Sequence, residues 1–463
     1  MKKLWTLLLT SLLCYQVQAQ VPAGLEAKLQ DTLVAMRTKH NFKGLSAAVS
    51  FRGMGTWKSA VGVSDAATAL SPGMLIGIGS NTKTFVSAMM IKLSEAGKLK
   101  LSDTIGTWIS GYANINGKIT IRQLLNHTSG LNNYTDNSLT WDSVNKDLSR
   151  MWTKDEILRK FVLTPYFAPG ASWKYSNTNY IIAGMIEEQV MGVSIQQLLR
   201  DSIMTPNGLS HTFFPPFETA TDPYAHFWSD FDGDGVLDDV GEYGTPGLLP
   251  KEINSLADAA GALVSTAEDN TKFWQALMQG RIISKASVTT DLLKWTGFGT
   301  AASDYGLGVF KERFFGNTVF SHGGTWIGQI NENLSDTVNN IYITVLSNQD
   351  GLKNDYVSLV VQALYKVTLD YMKLDVKEVA GNANAWKLYP NPAADVLYVQ
   401  MPVSGGQDFN LYDLSGRLVK TLQGQAAGNT TTRLDIAGLE NGLYLLQLHT
   451  EQGVQTAKVL IRH

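Results

Sequence analysis

The sequence predicts an α/β (α+β) protein in which an antiparallel sheet is flanked by helices and interrupted by a helical subdomain, with a separate small all-β sandwich behind it. Three observations carry this expectation. Helical and strand-like runs recur at both ends of residues 25–372; helical stretches and long loops dominate between them, to about residue 215; and from Lys387 only short alternating runs remain.

Taken in order, Leu25, Leu29, Leu33 and Met36 fall at helical spacing. Leu45 to Phe51 and Trp57 to Val63 read as strands on either side of a Gly53/Gly55 turn. A second helix starts at Ser80, carries Val86, Met89, Met90 and Leu93 on one face, and stops at Gly97. After the helical middle the chain returns to helix from Ala260 and to strands at Thr318 to Ser321 and Ile341 to Leu346. Both ends of this segment would therefore build one sheet, and a helix at Tyr356 to Met372 closes a domain spanning 20–372. Residues 373–386, with Gly381, Asn382 and Asn384 and little periodicity, read as a linker. In 387–463, strands at Val396 to Met401, Phe409 to Leu414, Tyr444 to Leu448 and Val459 to Ile461, separated by turn signals such as Asn441-Gly442, predict an immunoglobulin-like sandwich.

Composition narrows the function classes. The 463 residues suit one large domain and a smaller companion. With 38 Lys plus Arg against 41 Asp plus Glu, the net charge of −3 offers nucleic acid no bulk attraction. A hydrophobic fraction of 44% excludes a disordered tail protein. Residues 1–19 read as a secretory signal: Lys2 and Lys3, an apolar run from Leu4 to Leu13, and Val17-Gln18-Ala19 as a small-x-small cleavage site. The apolar run is too short for a membrane anchor that must cross about 30 Å of hydrocarbon. The single cysteine, Cys14, lies inside this signal, and bulky Leu13 before it disfavours lipid attachment. Cleavage after Ala19 would leave a mature chain with no disulfide, thiolate nucleophile or cysteine metal site, and no later stretch is apolar enough to span a membrane.

The chemistry concentrates around Ser80. Ser80 and Lys83 are three apart, and on a helix such residues share a face, so the amine can reach the hydroxyl. A serine hydroxyl is a weak nucleophile until a neighbour takes its proton, and a lysine in a dry pocket can have its pKa lowered enough to do so. Tyr175-Ser176-Asn177 adds a phenol that could ionise near a cationic Lys83 and relay protons, and an amide that could hold a substrate amide. His322-Gly323-Gly324-Thr325 follows a predicted strand, and its glycines let backbone approach an acyl group closely. Each motif alone has a bland reading as cap, loop or structural histidine; their combination is the signal.

In this order and at these separations, Ser80-Asn-Thr-Lys83, Tyr175-Ser-Asn177 and His322-Gly-Gly324 resemble the three signature motifs of the penicillin-recognising serine hydrolases, especially class C β-lactamases, serine D-Ala-D-Ala carboxypeptidases and related esterases. Leu124-Leu-Asn-His-Thr-Ser-Gly-Leu131 and Tyr305-Gly-Leu-Gly308 are also similar to recurrent segments of that family, so the resemblance covers roughly residues 25–370. It implies a β-lactamase-like domain needing no cofactor, with Ser80 as the acylated nucleophile, Lys83 and Tyr175 sharing base and acid work, and Asn177 positioning substrate. It further implies that His322 lines the opposite wall beside Gly324, that the backbone N–H groups of Ser80 and Thr325 form the oxyanion hole, and that His127 packs. β-Lactamases usually carry Lys-Thr-Gly where this chain has His322-Gly323-Gly324. A histidine, with an ordinary pKa near 6.5, holds a substrate carboxylate less reliably than a lysine does. The expected enzyme is thus a hydrolase of a small-molecule or peptidoglycan-derived substrate, most like a carboxypeptidase or esterase. A true class C β-lactamase and a non-catalytic cell-wall- or penicillin-binding relative remain the alternatives.

Two further segments stand out. Asp230, Asp232, Asp234 and Asp238, with Gly235, imitate a structural calcium loop, but the usual closing glutamate is missing where Gly241 stands; the alternative is a hairpin tip with Asp-Gly turns. Leu388-Tyr-Pro-Asn-Pro392, Leu411-Tyr-Asp-Leu-Ser-Gly416, Gly442-Leu-Tyr444 and the basic end Lys458 to His463 resemble the sorting domain of type IX secretion substrates. That resemblance implies export through the periplasm of a Gram-negative bacterium to the cell surface or beyond, with the type IX secretion machinery as partner. A generic carbohydrate-binding or adhesion sandwich is the alternative.

Overall fold

The computed structural model describes residues 21–230, 233–244, 250–300, 303–350, 355–378, 387–400, 408–413, 418–428, 431–450 and 453–463. The expected signal, Cys14, Met401 and Leu414 lie outside them.

The first helix, Ala23–His40, ends where Asn41 adopts a left-handed conformation (φ 55°) and returns its N–H to the Arg37 and Thr38 carbonyls. Its Leu25, Leu29 and Leu33 are fully buried against one face of an eight-stranded antiparallel sheet. That sheet runs Thr56–Gly62, Gly44–Phe51, Ile341–Ser347, Gln329–Asp336, Asn317–Ser321, Phe310–Phe314 and Asp304–Tyr305, with Gly324–Trp326 paired to Gln329–Asp336. The two ends of this domain meet in register within it, one strand in from its Thr56–Gly62 edge, with Ala48 opposite Thr344 and Phe51 opposite Ile341.

The Gly44–Phe51 strand is buried along its whole length because both faces are covered. Leu45, Ala47, Val49 and Phe51 meet the first helix and the last helix, Asp355–Glu378, through Val357, Val361 and Leu364. On the opposite face Ala48, Tyr342 and Leu346 join the core of the Ala267–Met278 helix and the helical insertion. The last helix continues to Glu378, into the segment read as linker; residues 379–386 lie outside the described part.

The Thr82–Glu95 helix departs from the expected single apolar face. Not only Val86, Met89, Met90 and Leu93 but also Thr82, Lys83, Thr84 and Ser87 are buried. The helix is wrapped from two sides: Phe85 stacks on Phe273 of the Ala267–Met278 helix, and Ser87 hydrogen-bonds the Tyr180 hydroxyl of the insertion at 3.0 Å. The Gln329–Asp336 strand escaped the sequence reading because Asn331, Asn333 and Ser335 interrupt its apolar pattern. These polar side chains are nonetheless buried.

Beyond the linker lie two four-stranded antiparallel sheets around a core of Leu397, Val399, Phe409, Leu411, Leu434, Leu446 and Val459. Strands at Lys387–Tyr389, Leu418–Leu422, Gln425–Gly428 and Thr431–Asp435 add to the four expected ones. Among the described residues, no helix is long and apolar enough to cross a membrane. Leu29→Ala should lower stability by about 2–5 kcal/mol, read as a lower denaturant midpoint, because it opens a cavity between helix and sheet.

Candidate active site

Two glycines bring the site's backbone segments together. Ser80 sits not in the helix proper but in a 3-10 turn, Gly79–Asn81, which leads into Thr82–Glu95. Gly79 has φ 47°, and a Cβ there would stand 2.9 Å from the Thr325 nitrogen. A Cβ on Gly324 would collide with the Ile78 carbonyl oxygen. Only bare backbone lets the Gly324–Trp326 strand lie against the turn. Ser80 and Thr325 consequently line one cavity of about 340 Å³. The buried amides of the neighbouring strand brace this arrangement: Asn331 donates to the Gly77 and Gly324 carbonyls, and Asn333 to the His322 carbonyl. Asn81 donates to the same His322 carbonyl at 3.0 Å and accepts from the Trp274 indole N–H.

Lys83 is fully buried, with Nζ 2.8 Å from Ser80 Oγ and 2.6 Å from the Ala260 carbonyl oxygen. Burial drives its pKa well below the ordinary lysine value. As a neutral amine it can donate to Ala260 while Ser80 O–H donates to its lone pair, which is the geometry of proton abstraction. Tyr175 hydrogen-bonds Ser80, yet desolvation still raises its pKa far above that of a free phenol. The expectation that a cationic Lys83 helps the phenol ionise is therefore reversed. Burial pushes both groups towards their uncharged forms.

Asn177 also lines the cavity, its amide donating to Thr135 Oγ1 at 3.0 Å and its backbone N–H to Asn133 Oδ1 at 2.9 Å. His127, buried at φ 62°, lies with its ring 4.2 Å from that of Tyr175, and its Nδ1 accepts from the Ser176 N–H and the Asn179 amide. It is thus placed to orient the Tyr175–Asn177 segment from beneath.

His322 departs from the expected wall position. It is buried, its Nδ1–H donates to the Gly323 carbonyl at 2.7 Å, and its Nε2 accepts from the Tyr305 hydroxyl at 3.0 Å. Burial, with the neighbouring Lys83, lowers its pKa to about 3. A neutral ring turned into the protein cannot hold a carboxylate as a cation. Gly324 contributes the close approach rather than a contact.

Sequence reasoning missed the Ala260 carbonyl, Tyr134, Thr135, Trp141, Ile327 and Asp350, all close to the site or lining it. Trp141 sits on the short Ser138–Val144 helix and the others lie in turns and loops with no periodic signal. In the Asp-rich loop, Asp230 Oδ2 accepts from the Gly235 N–H and Asp234 Oδ1 from the Val236 N–H, while Asp238 starts the Asp238–Asp239 strand and Asp232 lies outside the described residues. Among the described residues, no group of three or more His, Cys, Asp or Glu side chains is placed to hold a metal ion.

Residues 27–364 match the family model described as Beta-lactamase, and residues 387–462 match one described as Secretion system C-terminal sorting domain. A penicillin-binding protein of Bacillus subtilis (strain 168) is 29% identical over 271 residues, covering 56% of this chain and 57% of that protein. The chain spans about half the length of the curated relatives it matches. A D-stereospecific amidohydrolase from Streptomyces sp. superposes with a TM-score of 0.63 at 27% identity, over 72% of this chain and 97% of that one. The D-amino acid amidase from Ochrobactrum anthropi SV3 shares the fold, with a TM-score of 0.66 at 24% identity over 76% of this chain and 100% of that one.

The neutral His322 has a consequence for stability. Its folded pKa of about 3 lies below the ordinary 6.5, so the unfolded chain binds the proton first as pH falls. The stabilisation is complete above 6.5 and is lost towards pH 3, at roughly 1 kcal/mol per pH unit. Denaturation midpoints at pH 7 and pH 5 should fall further for the native protein than for His322→Gln.

Proposed function

The chain belongs to the Beta-lactamase family, whose members include serine hydrolases, and on that premise we propose that it hydrolyses an amide or ester through an acyl-enzyme on Ser80. The observation that carries this reading is the fully buried Lys83, driven towards the neutral amine and 2.8 Å from Ser80 Oγ. Lys83 takes the hydroxyl proton as Oγ bonds the substrate carbonyl carbon. The developing oxyanion is met by the Ser80 and Thr325 backbone N–H groups, beside the positive end of the Thr82–Glu95 helix. As the bond to the leaving nitrogen or oxygen breaks, Tyr175 gives that atom a proton and recovers one from Lys83. Water then attacks the acyl ester, losing its proton to Lys83, and Ser80 leaves with a proton restored. No step calls for a cofactor.

The cavity favours some members of the expected substrate set over others. Penicillins and D-Ala-D-Ala peptides present a carboxylate, and His322 supplies no cation to receive it. Amides and esters without that carboxylate fit better, in keeping with the similarity to a D-stereospecific amidohydrolase. The chain carries a type IX secretion sorting domain and is a secreted or cell-surface protein; we propose that it reaches that place through the periplasm of a Gram-negative bacterium.

Incubation with a p-nitrophenyl ester, an amino-acid p-nitroanilide, a D-Ala-D-Ala peptide and a fluorescent penicillin should yield turnover of the first two and an acyl adduct on Ser80 by mass spectrometry. Ser80→Ala should abolish both, and full activity in that variant on every substrate would overturn the proposal. Lys83→Met, which keeps the length and removes the base, should slow acylation by roughly 10²–10⁴-fold in stopped-flow measurements.

A further inference from the structure

Among the described residues lining the Ser80 cavity there is no lysine, arginine or histidine, and there is one carboxylate, Asp350. Asp350 is anchored: its Oδ2 accepts from the Gly328 N–H at 2.6 Å, fixing it to the turn that carries Trp326 and Ile327. Its own N–H donates to the Trp228 carbonyl at 3.0 Å. Among the described residues no cation pairs with it, and the charge facing it nearby is another carboxylate, Asp230. An ionised Asp350 would therefore give the cavity wall beside Ser80 a negative field. Across it, the Trp141 and Trp326 rings stand 6.3 Å apart and tilted by 47°, an aromatic wall of the kind that attracts an ammonium or an apolar side chain.

We propose that the Ser80 cavity selects substrates bearing a primary ammonium near the scissile carbonyl, such as amides or esters of amino acids with a free amino group, and that Asp350 is the residue that receives this ammonium. The inference rests on the Ser80 hydrolase reading and names its substrate class. Desolvation raises the pKa of Asp350 while the Gly328 N–H and the Ser229 side chain hydrogen-bond its carboxyl group, and a bound ammonium would add the counter-charge that no described cation supplies. A terminal carboxylate in the same place would meet like charge. The same field thus favours aminoacyl substrates and disfavours carboxy-terminal peptides.

The test uses the full-length protein and matched phenylalanine p-nitroanilides, in D and L forms, with the amine free, N-acetylated or N-succinylated. An N-acyl-ethylenediamine with its amine on the leaving side distinguishes the two possible sources of the ammonium. The expected result is a kcat/KM at least roughly 10-fold higher for one free-amine series than for its N-acetyl partner, with the succinyl compounds poorest. In Asp350→Asn, which keeps an acceptor for Gly328, this ratio should collapse towards one, mainly through KM, and Asp350→Glu should restore part of it. A native enzyme that prefers acetylated or succinylated substrates, or an Asp350→Asn ratio equal to the native one, overturns the proposal. A fluorophosphonate probe separates the two layers. Labelling of Ser80 without amine preference defeats this inference alone, and failure to label Ser80 defeats the hydrolase reading beneath it.

Discussion

Lys83 lies in the interior with no carboxylate helping to hold its charge, and burial alone drives its pKa down. An uncompensated buried ammonium is costly, so burial pushes Lys83 towards the neutral amine that the proposed reaction needs. The dryness comes from the wrapping of the Thr82–Glu95 helix by the helical insertion on one side and the Ala267–Met278 helix on the other. A helix with only one covered face would leave that amine solvated and charged. The full burial that gives this helix so weak an apolar stripe is what its chemistry depends on.

The same dryness keeps the neighbouring groups neutral. Tyr175, His127 and His322 are all pushed towards their uncharged forms by desolvation, so the site gathers donors and acceptors that tend to be neutral around Ser80. Such an assembly can meet charge that develops during reaction without first having to neutralise its own. Two contacts place it: the Ala260 carbonyl on Lys83, and the approach of bare backbone at Gly79 and Gly324. The buried amides of Asn81, Asn331 and Asn333 hold the His322–Gly324 segment against that turn, at the centre of the sheet.

Much of this was legible in the order of residues, and the illegible parts share a cause. Leu25, Leu29 and Leu33 betray the first helix because one helical face meets the core, and the alternating runs after Lys387 betray strands for the same geometric reason. Ser80, Lys83, Tyr175 and Asn177 were legible because chemistry restricts which side chains can occupy them. The Gln329–Asp336 strand was not, since its buried asparagines serve hydrogen bonds to chain far away in sequence. His322 was found as a residue but assigned the wrong surroundings: its motif says nothing of the Tyr305 hydroxyl that turns the ring inward.

By itself, then, the sequence determined the elements with a clear apolar period, the placing of a serine three residues before a lysine on one helical turn, and that the working chain has no cysteine chemistry to draw on if its signal is removed. These properties are local, or depend on residue type alone. Only the tertiary structure decided the burial that shifts Lys83, Tyr175 and His322, and only it brought Thr135, Trp141 and Asp350 to the Ser80 cavity. Desolvation and field are sums over everything that surrounds a group, and in this fold the surroundings of Ser80 are assembled from segments as far apart as Gly79 and Asp350.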